Sequence, residues 1–328
     1  MASAAHQNSV GDINSVGGSC SASEQAGSAQ HAPSVMAGMR EITCEILGQR
    51  ELAAAVWELT LRGDFRAVER PGQFVNIAIP GFFLRRPISV ANLRRGVYGS
   101  APAGSGSNGS ASASPADELT LVYKVVGEGT AVLAQLTAGT QLNLLVGLGN
   151  GFTLPTADGL FACAADHSLR ALEITAPLLL VGGGVGVPPL YWLARELRAA
   201  GCSVSVALGF NSASDVFYES EFRELGCTVQ VATADGSYGT QGFVPTVMPS
   251  PSEYAYFYAC GPIPMLRAVV HASGATAGEL SFEERMGCGF GACMGCSHRV
   301  LLADGREGYK RICAEGPVLR KEEIVWES

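Results

Sequence analysis

The sequence predicts an α/β plus all-β chain with three parts: an N-terminal antiparallel β-barrel, a doubly wound parallel sheet and a small C-terminal domain rich in cysteine. Short alternating apolar segments bounded by Gly and Pro predict the barrel over 39–155. Alternating buried-strand and helix patterns predict the parallel sheet over 174–278. Closely spaced cysteines mark the third part, over 279–328. A chain of 328 residues is long enough to form all three.

Six short segments of β type make up the predicted barrel. Their apolar residues alternate or cluster over a few positions, as expected for strands with one buried face. The segments are EITCEIL, VWELTLRG, GQFVNIAIP, PISVANL, ELTLVYKVV and QLNLLVGLG. A low-complexity run of Gly, Ser and Ala at 99–116 is interpreted as a flexible, solvent-exposed insertion between two strands. Residues 156–173 are interpreted as a second insertion or linker.

The parallel sheet is predicted from strands and helices that follow one another in turn. The predicted strands are APLLLVGG, SVSVALGF, CTVQVATAD and YAYFYACG. The predicted helices are PPLYWLARELRAAG, which Gly201 ends, DVFYESEFRELG and PIPMLRAVVHASG. The apolar run 174–194 has the length of a membrane span, but three consecutive glycines and the pair Pro188 and Pro189 argue against one. No membrane association is therefore expected.

Composition and charge exclude several classes of function. The net charge of −8, with no run rich in Lys or Arg, argues against nucleic-acid binding.

Residues 1–38 are rich in Ser, Ala and Gly, so we expect them to be disordered, and Met36 or Met39 is a candidate start. These residues show no signal-peptide pattern, and the six cysteines outside the cysteine block are scattered singly. A reducing cytoplasm is therefore the expected location.

The cysteine block has the spacing C-x4-C-x2-C, followed by a fourth cysteine after 16 residues: Cys288, Cys293, Cys296 and Cys313. This is the plant-type [2Fe–2S] spacing, in which three thiolates come from one tight loop and one from a later turn. Glycines supply a loop backbone without Cβ obstruction, at Gly287, Gly289, Gly291 and Gly295. Structural zinc and disulfides are the alternatives, although zinc sites usually arrange cysteines as two close pairs and nothing marks the chain as secreted.

A glycine-rich turn joins a predicted strand to a predicted helix, the position at which a nucleotide pyrophosphate binds in α/β sheets. Gly182, Gly183 and Gly184 let the backbone approach the pyrophosphate, and Gly184 and Gly186 begin the pattern G-x-G-x-x-P. The alternative is a turn that serves packing alone. No Arg cluster lies near Asn211, after the second strand, to hold a 2′-phosphate, which favours NAD over NADP.

The segment YACGPIPML ends a strand where open α/β sheets place their ligands. Cys260 is a small polarizable thiol that we expect to shape the nicotinamide pocket without acting as a nucleophile. Gly261 and Pro262 open the turn to the next helix. The alternative is a buried apolar cysteine.

The segment LRRPISVAN carries two arginines, Arg85 and Arg86, before the fixed turn at Pro87. An Arg at a barrel edge can donate a fork of hydrogen bonds to a flavin pyrophosphate, and Ser89 can hydrogen-bond the flavin ring or its ribityl chain. The alternative is a charged strand edge that prevents aggregation.

The segment YKVVGEGTAVL contains a turn at Gly127 and Gly129, after which Thr130 is expected to begin a helix. The N-terminus of that helix is predicted to face outward. It is a second candidate anion site, because the first N–H groups of a helix have no partner within it.

Taken in order, the motifs PGQF, RRPIS, GEGT, GGGVGVPPL, YACGP and the cysteine block resemble the ferredoxin–NADP reductase superfamily. More closely, residues 40–328 resemble the electron transfer subunits of NAD-dependent (class 1B) dihydroorotate dehydrogenase. The similarity is strongest in LGNGF, TADGSYGTQGFV, EERMGCGFGAC and ICAEGPVLRKEEIVW. The N-terminal 38 residues and the two insertions depart from the family's pattern.

The resemblance implies three cofactors, FAD, NAD and a [2Fe–2S] cluster, and it implies the residues that contact each. The FAD contacts would be Arg86, Pro87, Ile88, Ser89, Val122, Tyr123, Lys124, Gly129 and Thr130. The NAD site would comprise Gly182, Gly183, Gly184, Gly186, Cys260, Gly261 and Pro262. The cluster ligands would be Cys288, Cys293, Cys296 and Cys313.

The resemblance also implies a role in de novo pyrimidine (UMP) biosynthesis. Electrons would leave dihydroorotate through the FMN of a separate catalytic subunit, pass through the cluster and FAD, and reduce NAD⁺. FAD must lie between the other two because hydride transfer moves two electrons, whereas the cluster passes one. A heterotetramer of two catalytic and two electron transfer subunits is implied.

Two other functions remain open at this point. The first is the subunit of another NAD(P)H:ferredoxin-type oxidoreductase, such as a bifurcating transhydrogenase or a sulfide dehydrogenase small subunit. The second is a non-enzymatic redox sensor. The same site residues serve many reactions on one fold, so the partner decides among them.

Overall fold

The computed structural model of the protein describes five stretches of the chain: residues 38–97, 116–155, 160–162, 169–171 and 176–326. The predicted N-terminal extension lies outside the described residues, apart from its last residue. So does the low-complexity insertion, apart from Ala116, and so does most of the insertion predicted at 156–173.

The N-terminal part is a closed six-stranded antiparallel barrel, which confirms the predicted fold. Around the barrel the order is β1-β2-β5-β4-β3-β6. The side chains alternate as the sequence predicts, so that on the last strand Leu142, Leu144 and Val146 face the barrel core. The strands are β1 (Arg40–Ala53), β2 (Val56–Gly63), β3 (Phe74–Ile77), β4 (Arg86–Val97), β5 (Ala116–Lys124) and β6 (Gln141–Leu148).

One helix, α1 (Glu128–Gln135), connects β5 to β6. Leu133 anchors it in the barrel core. The insertion at 99–116 joins β4 to β5, whose ends pair at Val97 and Ala116. The chain therefore leaves and re-enters the barrel at one point, which explains how the barrel tolerates the extra residues.

The second part is a parallel sheet with strand order β12-β11-β10-β9-β13-β14. A short hairpin of β7 (Leu160–Ala162) and β8 (Leu169–Ala171) precedes it. The sheet strands are β9 (Leu178–Gly183), β10 (Val204–Phe210), β11 (Thr228–Thr233), β12 (Thr240–Gln241), β13 (Tyr256–Gly261) and β14 (Gly278–Phe282). The helices between them are α2 (Val187–Ala199), α3 (Glu219–Glu224) and α4 (Ile263–Ala272).

From residue 176 onward, the apolar run predicted at 174–194 forms β9 and the start of α2, both of which are buried. Among the described residues, no helix has both the length and the apolar character that crossing a membrane requires.

The helix predicted from Asp215 to Gly226 is shorter in the structure, so that prediction was wrong at its start. A single 3₁₀ turn spans Ala213–Asp215, and α3 begins only at Glu219. Tyr218 has a φ of 66°, a left-handed conformation that interrupts a right-handed helix. Its ring packs in the core against Tyr191 and Phe217, which accounts for the turn there.

The C-terminal segment contributes to the parallel sheet as well as to the cysteine block. Two strands of a hairpin, β15 (Ser297–Leu301) and β16 (Glu307–Arg311), are followed by β17 (Val318–Arg320), which pairs antiparallel with β14. The cysteine block and its hairpin thus emerge from between two adjacent strands of the sheet. The boundary predicted at residue 279 falls inside β14.

Candidate functional site

A cavity of about 800 Å³ lies where the barrel meets the carboxyl ends of the parallel strands. The barrel contributes Val56 and Lys124 to its wall. The sheet side contributes the ends of β9 and β10 and the start of α4 with the residue before it, at Gly183, Gly184, Gly209, Phe210, Asn211, Pro262 and Met265. Ligands bind at such strand ends in open α/β sheets, and this cavity has the size of a small-molecule site.

The predicted NAD-site glycines have different roles in the structure. Gly183 and Gly184 line the cavity, and Gly184 has a φ of 53° with no atom within 4 Å of where a Cβ would be. Gly182 faces Val187 of α2 instead. A Cβ on Gly186 would lie 2.2 Å from the Cys260 carbonyl oxygen, so this glycine lets the helix turn approach β13.

Cys260 lies behind the cavity wall rather than on it. It is 1% exposed and belongs to the core of the parallel-sheet domain. Burial, and then the nearby Glu283 carboxylate, raise the pKa of its thiol. Pro262 does line the cavity, whereas Gly261, with a φ of 156°, packs against Met265.

The cavity wall also contains two carboxylates that were not predicted from the sequence, Asp215 and Glu283. Asp215 accepts a hydrogen bond from Ser212 Oγ at 3.0 Å just after β10, and its position near a strand end was a usable signal. Glu283 is exposed to the cavity, but partial desolvation by the surrounding protein raises the pKa of its carboxyl from 4.5 to about 7. Its place between β14 and the cysteine block gave no hint that it would face the cavity.

The two arginines predicted at the barrel edge differ in their environment. Arg85 pairs with Glu41 at 2.8 Å and also donates to the carbonyl oxygens of Asn76 and Asn143, so its charge is used within the barrel. Arg86 lies with its guanidinium 5.0 Å from the centre of the Phe82 ring. It lies against Gly129 in the first turn of α1, so a cation and the first N–H groups of a helix lie side by side, a combination that fits a pyrophosphate.

Thr130 does not begin α1, which starts at Glu128. The Thr130 hydroxyl accepts from the Val126 and Gly127 N–H groups at 3.1 and 3.3 Å and donates to the Gly127 carbonyl oxygen at 2.9 Å. The hydroxyl hydrogen of Thr130 is therefore used within the turn, so only the backbone N–H of Thr130 is left to bind an anion.

The remaining residues with predicted FAD contacts lie on two strands, where successive side chains point to opposite faces, so some face the barrel core and others do not. Pro87 and Ser89 lie half-buried on β4, with Ile88 between them packed against the barrel core. Tyr123 also points into the barrel, where its hydroxyl donates to Gln49 Oε1 at 2.9 Å. Val122 and Lys124 are directed outward, Val122 into the core of the parallel-sheet domain and Lys124 into the cavity.

The four predicted cluster ligands lie near one another as two pairs. Cys288 is within hydrogen-bonding reach of Cys293, and Cys313 of Cys296. Cys296 and Cys313 are buried, Cys288 is half-buried and Cys293 is exposed. Among the described residues, no three or more His, Cys, Asp or Glu side chains surround one point that could hold a single metal ion. Two pairs suit two bridged irons, because each iron takes two thiolates.

The Cys288 end of the cysteine loop favours a thiolate, whereas burial and the neighbouring Cys296 raise the pKa of Cys313. Burial acts to raise the pKa of Cys288, but the N–H groups of Phe290, Cys293 and Ala292 more than offset it and lower that pKa from 9.0 to about 6. The Ala292 N–H donates to Cys288 Sγ at 3.3 Å. A thiolate is the form that binds metal, so this end of the loop is ready for it at neutral pH.

Other contacts fix the loop in place. The Arg311 guanidinium donates to the Gly291 carbonyl oxygen at 2.5 Å and pairs with Glu315. From the barrel side, Asn150 holds the segment after Cys313, where its carboxamide accepts from the Val318 N–H at 3.1 Å and donates to the Val318 carbonyl oxygen at 2.7 Å. The cysteine loop is therefore fastened to its own hairpin and to the barrel.

Two family models match this chain. The model described as the iron-sulfur cluster binding domain of dihydroorotate dehydrogenase B matches residues 283–325, which include all four cysteines of the loop. The model described as an oxidoreductase NAD-binding domain matches residues 180–271, which include the glycine turn and Cys260. The iron–sulfur cluster and NAD are therefore cofactors of this chain.

Solved structures share the fold. A structure from work on flavin-based electron bifurcation, an NADH-dependent reduced ferredoxin-NADP oxidoreductase, is 25% identical, with a TM-score of 0.64 over 86% of this chain and 90% of that one. The Amycolatopsis cytochrome P450 reductase GcoB is 24% identical, with a TM-score of 0.53 over 72% of this chain and 66% of that one. The second likeness establishes the fold alone.

The chain matches curated relatives over nearly the entire length of those relatives. A protein of Shouchella clausii is 39% identical over 85% of this chain and 96% of its own length, and one of Bacillus caldolyticus is 40% identical over 88% and 100%. Both are named dihydroorotate dehydrogenase B (NAD(+)), electron transfer subunit. Identity at this level over this length means that the chain belongs to the family of dihydroorotate dehydrogenase B electron transfer subunits.

Proposed function

We propose that this chain is the electron transfer subunit of an NAD-dependent dihydroorotate dehydrogenase in de novo UMP biosynthesis. It would receive electrons from the FMN of a separate catalytic subunit and deliver them to NAD⁺ through its [2Fe–2S] cluster and FAD. One observation supports this most strongly. A cysteine loop that binds a cluster packs on the same barrel that forms one wall of the dinucleotide cavity.

The residues around each cofactor supply binding and orientation. When bound, FAD exchanges a hydride with the nicotinamide and single electrons with the cluster. Arg86 and the first turn of α1 would hold its pyrophosphate, while Pro87 and Ser89 would border the flavin ring. Lys124 reaches the cavity from the barrel, so it would stand near the meeting point of the flavin and the nicotinamide.

On the NAD side, Gly183, Gly184 and Pro262 would receive the pyrophosphate and the nicotinamide, with Gly182, Gly186, Cys260 and Gly261 shaping the backbone behind them. Asp215 in the cavity wall supports NAD over NADP. A carboxylate accepts hydrogen bonds from a ribose 2′-hydroxyl but repels a 2′-phosphate.

For the cluster, Cys288 with Cys293 would ligate one iron and Cys296 with Cys313 the other. Cys293 is the exposed ligand, so its side of the loop is the one from which a partner would reach the cluster. We place the working complex in the reducing cytoplasm, as a heterotetramer with two FMN-containing catalytic subunits. None of the eight cysteines that the structure describes forms a disulfide, which supports that location.

Among the alternatives, the small subunit of a bifurcating transhydrogenase or of a sulfide dehydrogenase finds less support. The curated relatives at 39% and 40% identity carry the dihydroorotate dehydrogenase name, whereas the oxidoreductase from bifurcation work is 25% identical.

The test is co-purification of this chain with its candidate dihydroorotate-oxidising subunit, followed by measurement of NADH formation from dihydroorotate and NAD⁺. NADH should appear only when both subunits are present. Each subunit alone is the control. A chain that carries FAD and a cluster but neither binds that subunit nor supports NADH formation would refute the substrate while leaving the reductase chemistry intact.

A further inference from the structure

Asn76 lies on β3 of the barrel, on the face that carries the residues proposed to border the flavin. Its neighbours Val75 and Ile77 point into the barrel core, so Asn76 points outward. It stands directly opposite Pro87 on β4, and Phe74, two residues earlier, stands opposite Ser89. Directly opposed side chains of an antiparallel pair lie on one face about 4.5–5.5 Å apart at Cβ.

The same side chain reaches the cysteine loop. Asn76 Nδ2 donates to the Cys288 carbonyl oxygen at 3.0 Å, a contact between residues 212 positions apart in the chain. The loop is shaped to receive it, since a Cβ on Gly289 would lie 2.3 Å from Asn76 Nδ2. Gly289 also has a φ of 78°, so a glycine is required there for both reasons.

An asparagine at this position carries a cost to the fold as well as one hydrogen bond. Asn76 is 1% exposed, and its Oδ1 has no hydrogen-bond partner among the residues that the structure describes. A buried polar atom without a partner costs free energy, and an apolar residue of similar size would avoid that cost. What the asparagine provides is one hydrogen bond, directed at the residue that binds the cluster.

We propose that Asn76 is a positioning residue that holds the Cys288 end of the cluster loop against the flavin-bearing face of the barrel. This rests on the proposed function only in requiring that the chain bind both FAD and the cluster. Its hydrogen bond fixes the backbone of Cys288, the first of the four proposed cluster ligands. The same side chain thereby connects Cys288 to the paired strands β3 and β4. The flavin site and the cluster are thereby kept in fixed relation.

The test compares Asn76→Asp and Asn76→Ala with Asn143→Ala in the full chain loaded with FAD and the cluster. Asn76→Ala removes the donor without adding a charge, and Asn76→Asp keeps the shape but replaces the amide donor with a carboxylate. Asn143, on β6 of the same barrel, also has an unpaired Oδ1, and none of the described hydrogen bonds joins its side chain to the cysteine loop. Three quantities are measured: the electron paramagnetic resonance spectrum of the reduced cluster, the rate at which a chelator bleaches it, and the rate of its reduction by NADH.

Both Asn76 variants should retain FAD and its reduction by NADH, with a shifted cluster spectrum. Bleaching should be about tenfold faster and cluster reduction about tenfold slower, the scale on which partners of metal ligands act. Asn143→Ala should match the wild type. A wild-type spectrum, bleaching rate and reduction rate in Asn76→Asp would overturn the proposal, as would equal changes in Asn143→Ala. None of these readings uses dihydroorotate, so they stand apart from the substrate assignment.

Discussion

The Arg86 guanidinium lies directly against Gly129 in the first turn of α1. A Cβ placed on Gly129 would be 2.5 Å from Arg86 Nη2 and 2.8 Å from its Cζ, closer than carbon atoms approach in proteins. The Arg86 guanidinium therefore occupies the space that a side chain at position 129 would fill. Because the arginine tip is flexible, a side chain at position 129 would move the guanidinium rather than disrupt the barrel.

Gly129→Ala should weaken FAD binding with little change in the melting temperature of the apoprotein. The loss should be about tenfold or more in affinity, since hydrogen bonds to charged groups contribute about 1.5–3 kcal/mol. Fluorescence titration of the apoprotein with FAD measures it. Gly127→Ala is the matched control, because nothing lies within 4 Å of a Cβ there. Equal FAD affinity in the two variants would remove the proposed role of Arg86.

Asp215→Ala should change which dinucleotide the enzyme uses. Without the carboxylate, kcat/KM for NADH should fall about tenfold, as expected for one lost hydrogen bond to a charged group, and use of NADPH should rise. Dye-linked oxidation of both dinucleotides measures the ratio. Ser214→Ala is the control, since that exposed hydroxyl lies in the same turn and bonds Ser212. An unchanged ratio in Asp215→Ala would place the adenosine ribose elsewhere.

Glu283 gives the stability of the fold a pH dependence whose sign is fixed. Glu283 is exposed to the cavity, but the surrounding protein partly desolvates its carboxyl and raises the pKa from 4.5 to about 7, so the unfolded chain releases this proton at lower pH than the folded protein does. This group therefore reduces stability as the pH rises from about 4.5 to about 7, by an amount that solvent in the cavity keeps small.

Glu283→Gln removes the penalty. The variant should melt at a higher temperature than the wild type at pH 8, and the difference should shrink at pH 5. Thermal unfolding at both pH values measures it, with Glu224→Gln, a glutamate of α3 outside the cavity wall, as the control. A difference that is the same at pH 5 and pH 8 would contradict the raised pKa.

Cys260 should act through its shape and not through its charge. Burial raises the pKa of its thiol, so the thiol stays protonated across the working range. Cys260→Ala should lower NADH-to-dye turnover without altering its pH profile, because no ionisation is lost. Full turnover in the variant would remove Cys260 from the nicotinamide pocket, and a lost pH step would mean that the thiol ionises.

The fold was predictable because its signals are local. Alternation along β1 to β6 predicts the barrel, and the alternation of strands with helices predicts the parallel sheet. When a strand has apolar residues on both faces, local signals do not show which of them point into the barrel. Val122 and Tyr123 are adjacent and both apolar, and only the closed barrel decides that the tyrosine points inward.

The contacts that join the parts of the molecule were also out of reach of the sequence. Asn76 meets Cys288 across 212 positions, and Glu279 accepts from the Thr153 N–H at 2.9 Å across 126. Both depend on how separately predicted parts pack together. Glu283 faces the cavity for the same reason, since the return of β17 to the sheet sets the path of the chain around it.

In the proposed complex, electrons from the catalytic subunit pass through the cluster before they reach FAD and NAD⁺. The decisive measurement is made on Cys293→Ala in the complex of both subunits, with Cys202→Ala, a buried free cysteine, as the control. Cys293→Ala should abolish the cluster spectrum and dihydroorotate-dependent NADH formation, while FAD and NADH-to-dye turnover remain. Undiminished NADH formation from dihydroorotate without the cluster would contradict it.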